Sequence, residues 1–353
     1  MNLGGPVLAN PKVVSITYQG DTNASDIDTL VSQIGATPYW SATTKEYGVG
    51  PLVASPPVHL GVQAPAAVDD TVIPALFAQH LSGASPDWGP PDPNTIYVVT
   101  FPATSGGDCC NSYSGYHSED VVDGVTVPFA VACTCPGPSQ KGLDDITVTI
   151  SHELIEAATD PFVQSNPAFL QPDDDHVIWT AATDGEATDL CTLDNDANIV
   201  LPSLGYTVQR SWSNKAAQAG MNPCVPAANF EPYFNAAPVL TDSFVINDGL
   251  GNTVTTKGVK IPVGSSKTID VHLFSDAPTS GPWNVTAQDF NVIVNNGSPD
   301  LQLSLDKSSG TNGDILHLTI KVLGVNPKLN GEGFVLRSTL NGKDNVWVGA
   351  VGN

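Results

Sequence analysis

Basic residues are scarce in this sequence: 13 Lys and Arg stand against 36 Asp and Glu, and the formal net charge is -23. The imbalance lies mainly in residues 1–230, which carry 25 acidic side chains and 5 basic ones. Nucleic acids and anionic membranes bind proteins through Lys and Arg, so we expect neither as a partner. The excess of carboxylates favours cationic ligands or an acidic environment, and solubility alone explains it equally well.

Cysteine is absent from residues 231–353, and an even number of cysteines precedes them. An even count in a chain with few charged residues predicts disulfides, and therefore a secreted, extracellular protein. We expect Cys191 to bond with Cys224, and the pair at 109 and 110 to bond with the pair at 133 and 135, in an order that the sequence leaves open. The six positions are Cys109, Cys110, Cys133, Cys135, Cys191 and Cys224.

Long apolar segments are also missing: none approaches the ~20 residues that span a bilayer, so we expect no membrane span. The opening Met1-Asn2-Leu3-Gly4-Gly5-Pro6 lacks the basic and apolar parts of a signal peptide. Because disulfides are predicted, we expect that an export signal has been removed from this sequence. The alternative is a cytoplasmic protein whose thiols stay reduced.

The length of 353 residues exceeds that of one ordinary hydrophobic core, which predicts two domains. Residues 1–230 combine strand patterns, as in Thr95–Phe101, with a central helix pattern, and this mixture is typical of an α+β domain. Residues 231–353 contain short alternating segments separated by Gly, Asn and Asp. They predict an all-β sandwich of immunoglobulin-like kind.

One short segment carries candidate chemistry: Ser151-His152-Glu153-Leu154-Ile155-Glu156. On a helix, His152 and Glu156 lie on one face, so both side chains reach the same metal ion. Glu153 then lies beside the ion, where its carboxylate takes a proton from water. Glutamate is an accepted zinc ligand, although the usual motif ends in a second histidine.

The conformation of this segment has two interpretations. The alternation of Ile146–Ile150 favours a strand, in which His152 and Glu156 would lie ~13 Å apart and share no ion. The run Glu153–Ala158 consists mainly of helix-forming residues and favours a helix. For that helix, the alternative to a metal site is an amphipathic helix with a solvated acidic face.

A third metal ligand is expected downstream, in the segment Gly185–Cys191. There Glu186 is the candidate ligand, and Asp189 is placed to orient His152 through a hydrogen bond. We also expect Asp160, at the predicted helix end, to lie beside the ligands. This ligand set predicts a zincin-like metallohydrolase domain that binds Zn²⁺. The alternative is a polar turn held by a disulfide.

Several segments stand in a characteristic order: Gly5-Pro6-Val7-Leu8, Trp40-Ser41-Ala42-Thr43-Thr44, Gly115-Tyr116-His117-Ser118, Ser151 to Pro161, Gly185-Glu186 and Asp189-Leu190-Cys191. In these segments, which span roughly residues 4–225, the sequence resembles the exordium, or phosphate-induced, proteins of plants and their bacterial relatives. The resemblance implies a secreted protein and pairs the HExxE segment with Glu186 and the later Asp-Leu-Cys. It implies no defined enzymatic activity.

His117 lies in one of these matched segments. We expect it to be either a further metal ligand or a catalytic donor that stabilises the oxyanion of the transition state. The alternative is a hydrogen-bonded loop histidine near a disulfide.

The sequence therefore predicts a secreted zinc metallopeptidase that acts on proteins or peptides, with metal ligands His152, Glu156 and Glu186 and with Glu153 as the base. The C-terminal sandwich is expected to bind substrate or a cell-wall polymer. The alternative is a non-catalytic extracellular protein that keeps a structural metal and binds cell-wall glycan or a receptor. A glycoside hydrolase with paired carboxylates is a third hypothesis.

Additional Ca²⁺ is the second cofactor considered. Asp173–Asp175 and Asp194–Asn198 offer alternating oxygen ligands, but neither has the Gly and terminal Glu of a complete calcium loop. Solvated acidic turns are the alternative for both segments.

Overall fold

The computed structural model of this chain describes residues 1–135, 142–181, 183, 185–194, 196–227, 232–247 and 253–353. The chain divides into two compact units. The N-terminal unit comprises Asn2–Leu170 and Asn198–Ser211, and the C-terminal unit comprises Met1, Gln171–Ala197 and Trp212–Asn353. The expected boundary between residues 230 and 231 lies outside the described residues. Residues 171–197 group with the later strands rather than with the first unit.

The strands of the N-terminal unit lie in the two stretches of the chain that form it, and they range from two to nine residues in length. These strands are β1 (Lys12–Thr17), β2 (Val53–Ala54), β3 (Val58–His59), β4 (Ala67–Val68), β5 (Thr95–Phe101), β6 (Gly106–Gly107), β7 (Gly115–Val122), β8 (Val125–Cys133), β9 (Asn198–Val200) and β10 (Thr207–Gln209). Its helices are α1 (Ala24–Gln33), α2 (Pro38–Thr44), α3 (Val72–His80) and α4 (Leu143–Thr159), with 3-10 turns at Ile34–Ala36 and Lys45–Tyr47.

One mixed sheet organises the N-terminal unit, with the strand order β2-β1-β5-β8-β7 and with β3 beside β1. Strands β1, β5 and β8 pair in parallel, whereas β7 pairs with β8 as an antiparallel hairpin. Every residue of β5 is buried, as its continuous apolar run requires of a central strand covered on both faces. The strand predicted at Thr95–Phe101 is confirmed.

Helix α4 packs against β7, β8 and β10. It begins at Leu143, with Asp144 and Asp145 in its first turn, where carboxylates stabilise the positive end of the helix dipole. The segment Ile146–Ile150 is therefore helical, and its strand-like alternation reflects burial of the helix on several sides. The helix ends at Thr159, as predicted from the Asp-Pro pair that follows it.

The C-terminal unit is built mainly from antiparallel strands. Its elements are β11 (Ser211–Trp212, beginning at the last residue of the other unit), β12 (Cys224–Val225), β13 (Phe234–Pro238), β14 (Asp242–Asn247), β15 (Thr253–Lys260), β16 (Ser266–Ser275), β17 (Trp283–Asp289), β18 (Leu301–Leu305), β19 (Ser309–Gly310), β20 (Ile315–Val322), β21 (Glu332–Leu340) and β22 (Lys343–Gly352). Two helices, α5 (Asn214–Gln218) and α6 (Phe290–Asn295), and 3-10 segments at Asp174–Ala181 and Asp189–Cys191 complete it.

Two larger sheets form this unit, with the orders β13-β16-β20-β18 and β14-β15-β22-β21-β17-β19. Residues of β20 alternate between exposed and buried, so one face of the first sheet is solvated and the other packs into the core. Phe234 and Trp283, whose ring centroids are 5.5 Å apart, are fully buried in that core.

The predicted fold class, an α+β zincin-like domain followed by an all-β immunoglobulin-like sandwich, is wrong. Of the residues that the structure describes, 36% lie in strands and 21% in helices, and the strands form several sheets. The prediction extended one helical motif to a whole domain, whereas a motif of six residues fixes a local conformation and not the layers around it. It also assigned residues 171–197 to the first domain, although they group with the later strands.

The disulfide prediction is confirmed, with bonds Cys109–Cys133, Cys110–Cys135 and Cys191–Cys224. The first two resolve the order that the sequence left open, and none of the described cysteines is free. Three disulfides are consistent with an extracellular protein. Among the described residues, no helix has both the length and the apolarity to cross a bilayer.

Glu332, at the start of β21, is only 1% exposed. Its Oε1 accepts a hydrogen bond from the backbone N–H of Gly333 at 2.9 Å. Burial and, to a smaller extent, the nearby carboxylates of Asp289 and Asp300 raise the pKa of Glu332 to about 7, against the lowering effect of the Gly333 bond. This carboxyl group therefore stays protonated in the folded protein at mildly acidic pH.

We expect Glu332 to make the stability of the protein depend on pH. The folded state holds this proton more tightly than the unfolded chain, so its stabilising effect is complete below pH ~4.5 and is lost as the pH rises through about 7. Glu332→Gln should remove this dependence and, above pH 7, raise the free energy of unfolding by up to about 3 kcal/mol. Urea unfolding across this pH range measures the effect.

The control is Asp174→Asn, which changes an exposed carboxylate of the same unit. It should leave the pH dependence of wild type intact. Equal pH dependence in wild type and Glu332→Gln would contradict the prediction.

Candidate metal centre

Helix α4 brings the predicted HExxE residues together on one face. His152 Nε2 and Glu156 Oε2 lie 3.0 Å apart, as expected for side chains one helical turn apart. The side chain of Glu156 is only 2% exposed and that of His152 is 15% exposed. Glu153 is also buried. The helical interpretation of this segment is therefore confirmed, and two candidate ligand atoms converge.

His117 projects from β7 toward the same carboxylates. Its Nδ1 lies 3.7 Å from Glu156 Oε2 and 3.9 Å from Glu153 Oε2, and its side chain is 3% exposed. Its Nε2–H donates a hydrogen bond to the backbone carbonyl of Asp160 at 3.2 Å. The alternative of a loop histidine is wrong, because His117 lies within a strand and faces α4.

A residue that the sequence did not single out orients His152. Gln209, at the end of β10, accepts a hydrogen bond through Oε1 from His152 Nδ1–H at 3.0 Å. Gln209 is held in turn by two bonds: its backbone N–H donates to Ser151 Oγ at 3.0 Å, and its carbonyl accepts from the Tyr39 hydroxyl. No local pattern reveals this role, because Gln209 lies 57 residues beyond His152 in a strand of three residues.

The two histidines have the same arrangement relative to Glu156. Each gives one ring N–H to an oxygen, at Asp160 or at Gln209, and turns its other nitrogen toward Glu156 Oε2. Desolvation by burial lowers the pKa of His117 despite the nearby carboxylates, so its Nδ1 carries a lone pair at neutral pH. A lone pair facing a carboxylate is repulsive unless a cation lies between them.

The donor set fits a zinc ion. Imidazole nitrogen and carboxylate oxygen are ordinary zinc ligands, and ligand bonds of ~2.0–2.2 Å in a tetrahedron place ligand atoms roughly 3.3–3.6 Å apart. The separations of 3.0 and 3.7 Å from Glu156 Oε2 lie on either side of this range. Imidazoles whose other nitrogen donates to a fixed oxygen are typical of metal sites, because that bond sets the tautomer.

Asp160 lies beside the histidines, as predicted. Its backbone carbonyl accepts the bond from His117, while its Oδ1 accepts from the backbone N–H of Ala168 at 2.6 Å. Burial raises the pKa of the Asp160 carboxyl group, against the lowering effect of the Ala168 bond. Asp160 thus anchors His117 through its main chain and the following loop through its side chain.

The downstream residues of the predicted site lie in the other unit. Glu186 and Asp189 belong to Gln171–Ala197 of the C-terminal unit, and their roles as metal ligand and as orienting residue stay predictions.

The acidic segments considered for calcium engage other partners in the C-terminal unit. Asp173 accepts from the Asp175 N–H and contacts His176 Nδ1, and Asp175 forms an ion pair with Lys257. Asp196 pairs with Lys343 at 3.0 Å. Asn195 lies outside the described residues. Among the described residues, neither segment brings three ligating side chains together, and the calcium assignment stays a prediction.

No protein-family model matches the sequence, and no curated protein matches it. Among solved structures, domains 4 and 5 of the S-layer protein SbsC share 16% identity over 37% of this chain and 59% of that chain, with a TM-score of 0.20. A structure of SbsC domains 1–6 shares 14% identity, over 37% of this chain and 17% of that one. The structure of rSbsC(31-844) shares 15% identity, over 45% of this chain and 19% of that one. The TM-score is 0.20 for both of these structures. This chain therefore spans less than two thirds of each, and likeness at this level assigns no function.

Gly115 permits the close approach of β7 to α4. A Cβ at this position would lie 2.4 Å from Thr149 Cγ2, 2.7 Å from Glu153 Oε1 and 2.8 Å from the carbonyl oxygen of Val131. One of these neighbours is backbone and the others belong to a packed helix, so they cannot move apart without cost. Gly115 thus sets where the carboxylate of Glu153 lies.

We expect Gly115→Ala to destabilise the protein by about 1–3 kcal/mol, as overpacking of a tight site does, and to displace Glu153. Chemical unfolding measures the first effect, and a crystal structure of the variant reports the second. Gly61→Ala is the matched control, since its added Cβ meets nothing within 4 Å. If Gly115→Ala unfolds at the same midpoint as the control, Gly115 does not limit the packing of β7 against α4.

Proposed function

We propose that the protein is a secreted zinc-dependent hydrolase that cuts peptide bonds, and that His152, Glu156 and His117 hold the metal. One observation carries the proposal: Glu156 Oε2 is approached by one nitrogen from each of two buried imidazoles, while the opposite nitrogen of each ring donates to a fixed oxygen. Such an arrangement is more stable with a cation bound between the side chains than without one.

The charges of the proposed ligands suit this chemistry. Two neutral imidazoles and one carboxylate leave a zinc site with a net charge of about +1, so the site still attracts electron density from a substrate carbonyl. When bound, Zn²⁺ supplies a Lewis acid that polarises this carbonyl and makes water a better nucleophile. His117 acts as a ligand in this proposal, and the oxyanion role considered from the sequence is set aside.

Glu153 is the proposed general base. Its Oε2 lies 3.9 Å from His117 Nδ1, so the carboxylate borders the ligand atoms without being needed to hold the metal. It takes a proton from the attacking water and delivers it to the departing amine. Gly115 keeps the carboxylate in this position, and Gln209 orients the ring of His152.

A non-catalytic role is the second candidate, and the burial of the site favours it. His117 and Glu156 are almost inaccessible, at 3% and 2% exposure, and structural zinc sites are closed whereas catalytic sites keep an open position. In this alternative the metal stabilises an extracellular protein that binds cell-wall glycan or a receptor.

The test compares zinc-loaded wild type with Glu153→Gln on a library of peptides, at acid and neutral pH. We expect wild type to cleave peptides and Glu153→Gln to be slower by about 10²–10⁴-fold, the usual loss of a general base. Both should retain one equivalent of zinc by elemental analysis, because Glu153 is not a ligand. His152→Ala should lose the zinc.

Glu46→Gln is the matched control, because Glu46 is an exposed glutamate of the same unit. It should retain both zinc and activity. If wild type holds zinc but cleaves nothing, the non-catalytic candidate replaces the peptidase. If wild type binds no zinc, the metal site itself is refuted.

A further inference from the structure

The N-terminal unit contains a groove that the proposed chemistry does not use. Its volume is 750 Å³, within the range typical of ligand sites. The loops at residues 55–58 and 87–93 contribute most of its walls, and β1 and β5 contribute the rest. All described residues that line it belong to this unit, and none of them belongs to the candidate metal centre.

Proline dominates the walls of this groove. The prolines that line it are Pro56, Pro57, Pro90, Pro91 and Pro93, and all but Pro91 are exposed. Proline has a fixed φ and no main-chain N–H, so these loops are stiff and offer no donors for a strand ladder at those positions. A ligand would therefore bind to a surface that is already ordered, and it would not bind by adding a strand.

Trp88 supplies a hydrogen-bond donor to this proline-lined surface. Its ring is half-buried and stacks on the imidazole of His80, with the ring centroids 4.4 Å apart and the planes 6° from parallel. Within the described part of the chain its indole N–H donates to no other group, and this nitrogen keeps access to solvent. The stacked imidazole thus holds a donor that is available to a ligand.

Asp87 carries the unbalanced charge of the groove. Lys12 and Asp92 form an ion pair at 2.9 Å, and Asp92 also accepts a hydrogen bond from the Thr95 hydroxyl. Asp87 contacts His80 Nδ1 at 3.0 Å, but its side chain remains 65% exposed. With histidine counted as neutral, the described lining residues carry one net negative charge. A ligand with a cationic group is therefore favoured.

We propose that this groove binds a proline-rich segment of a partner protein, in the polyproline II conformation, with a basic residue beside the prolines. Such a segment presents main-chain carbonyls, and one of them accepts the Trp88 N–H. Its pyrrolidine rings pack on the proline walls, and its basic side chain pairs with Asp87. An ordinary peptide would place N–H groups against apolar rings, where a donor without an acceptor costs free energy.

The test is calorimetric titration of the full chain with a blocked peptide of eight prolines followed by one arginine. Wild type should bind it, and Trp88→Phe should bind it about three- to tenfold more weakly, because the ring is kept and one hydrogen bond is lost. Thermal unfolding checks that Trp88→Phe is folded at the temperature of the titration.

Asp87→Asn is a second variant, and its result does not depend on the packing of Trp88. It should bind the arginine peptide several-fold more weakly than wild type does. A peptide that ends in glutamine should bind equally to both proteins, because it has no charge to lose. Asp70→Asn is the matched control, since Asp70 is an exposed acid of the same unit, and it should bind both peptides as wild type does.

Failure of wild type to bind the arginine peptide at millimolar concentration would overturn the proposal. So would equal binding of a peptide in which Ala and Ser replace the prolines, or preferential binding of a neutral hexasaccharide of β-1,4-linked glucose. Equal affinity of wild type and Asp87→Asn for the arginine peptide would contradict the assigned charge contact. Glu153→Gln should bind the peptide as wild type does, so these results are independent of zinc and of peptide hydrolysis.

Discussion

The buried carboxylate of Glu156 is the constraint on which the N-terminal unit is organised. An ionised carboxylate with 2% exposure costs several kcal/mol in lost hydration unless its surroundings supply opposite charge and hydrogen bonds. In the proposed site the opposite charge is a cation, and the imidazole nitrogens that hold it beside Glu156 come from two different elements, His152 on the same helix and His117 on β7. Helix and strand must therefore keep one relative position for the carboxylate to be tolerated.

Several interactions hold that position from outside the cluster. Ser151 and Tyr39 fix Gln209, Gln209 fixes the ring of His152, and the carbonyl of Asp160 fixes the ring of His117. These are ordinary hydrogen bonds between neutral groups, each contributing about 0.5–1.5 kcal/mol to stability. Their combined effect is to fix the orientation of both rings, so that the proposed metal would bind with little loss of side-chain entropy.

The sequence predicts the parts of this site that depend on local spacing. The pair His152 and Glu156 follows from one helical turn, and the position of Glu153 follows from the same geometry. Gln209 could not be predicted, because its contact with His152 depends on how β10 packs beside α4 and not on any periodic pattern. His117 is indicated by a resemblance, but its place in a strand facing the helix is not.

The fold class was predicted wrongly for a physical reason. Buried strands such as β5 and the apolar runs of a helix share the same composition, and only long-range pairing decides how strands are ordered in a sheet. The alternation at Ile146–Ile150 shows the difficulty, since it has the period of a strand within a helix buried on several sides. Disulfides were easier to predict, because the even number of cysteines and their clustering left few ways to pair them.

The order of segments along the chain has a consequence for how such a protein evolves. The N-terminal unit is interrupted: Gln171–Ala197 belongs to the other unit, and the chain then returns in Asn198–Ser211 to supply β10 and Gln209. Recombination at a single point therefore cannot exchange one unit for another as a cassette. A gene truncated after Leu170 still encodes His117 and His152 but loses Gln209, which orients the ring of His152. The two units are therefore inherited together.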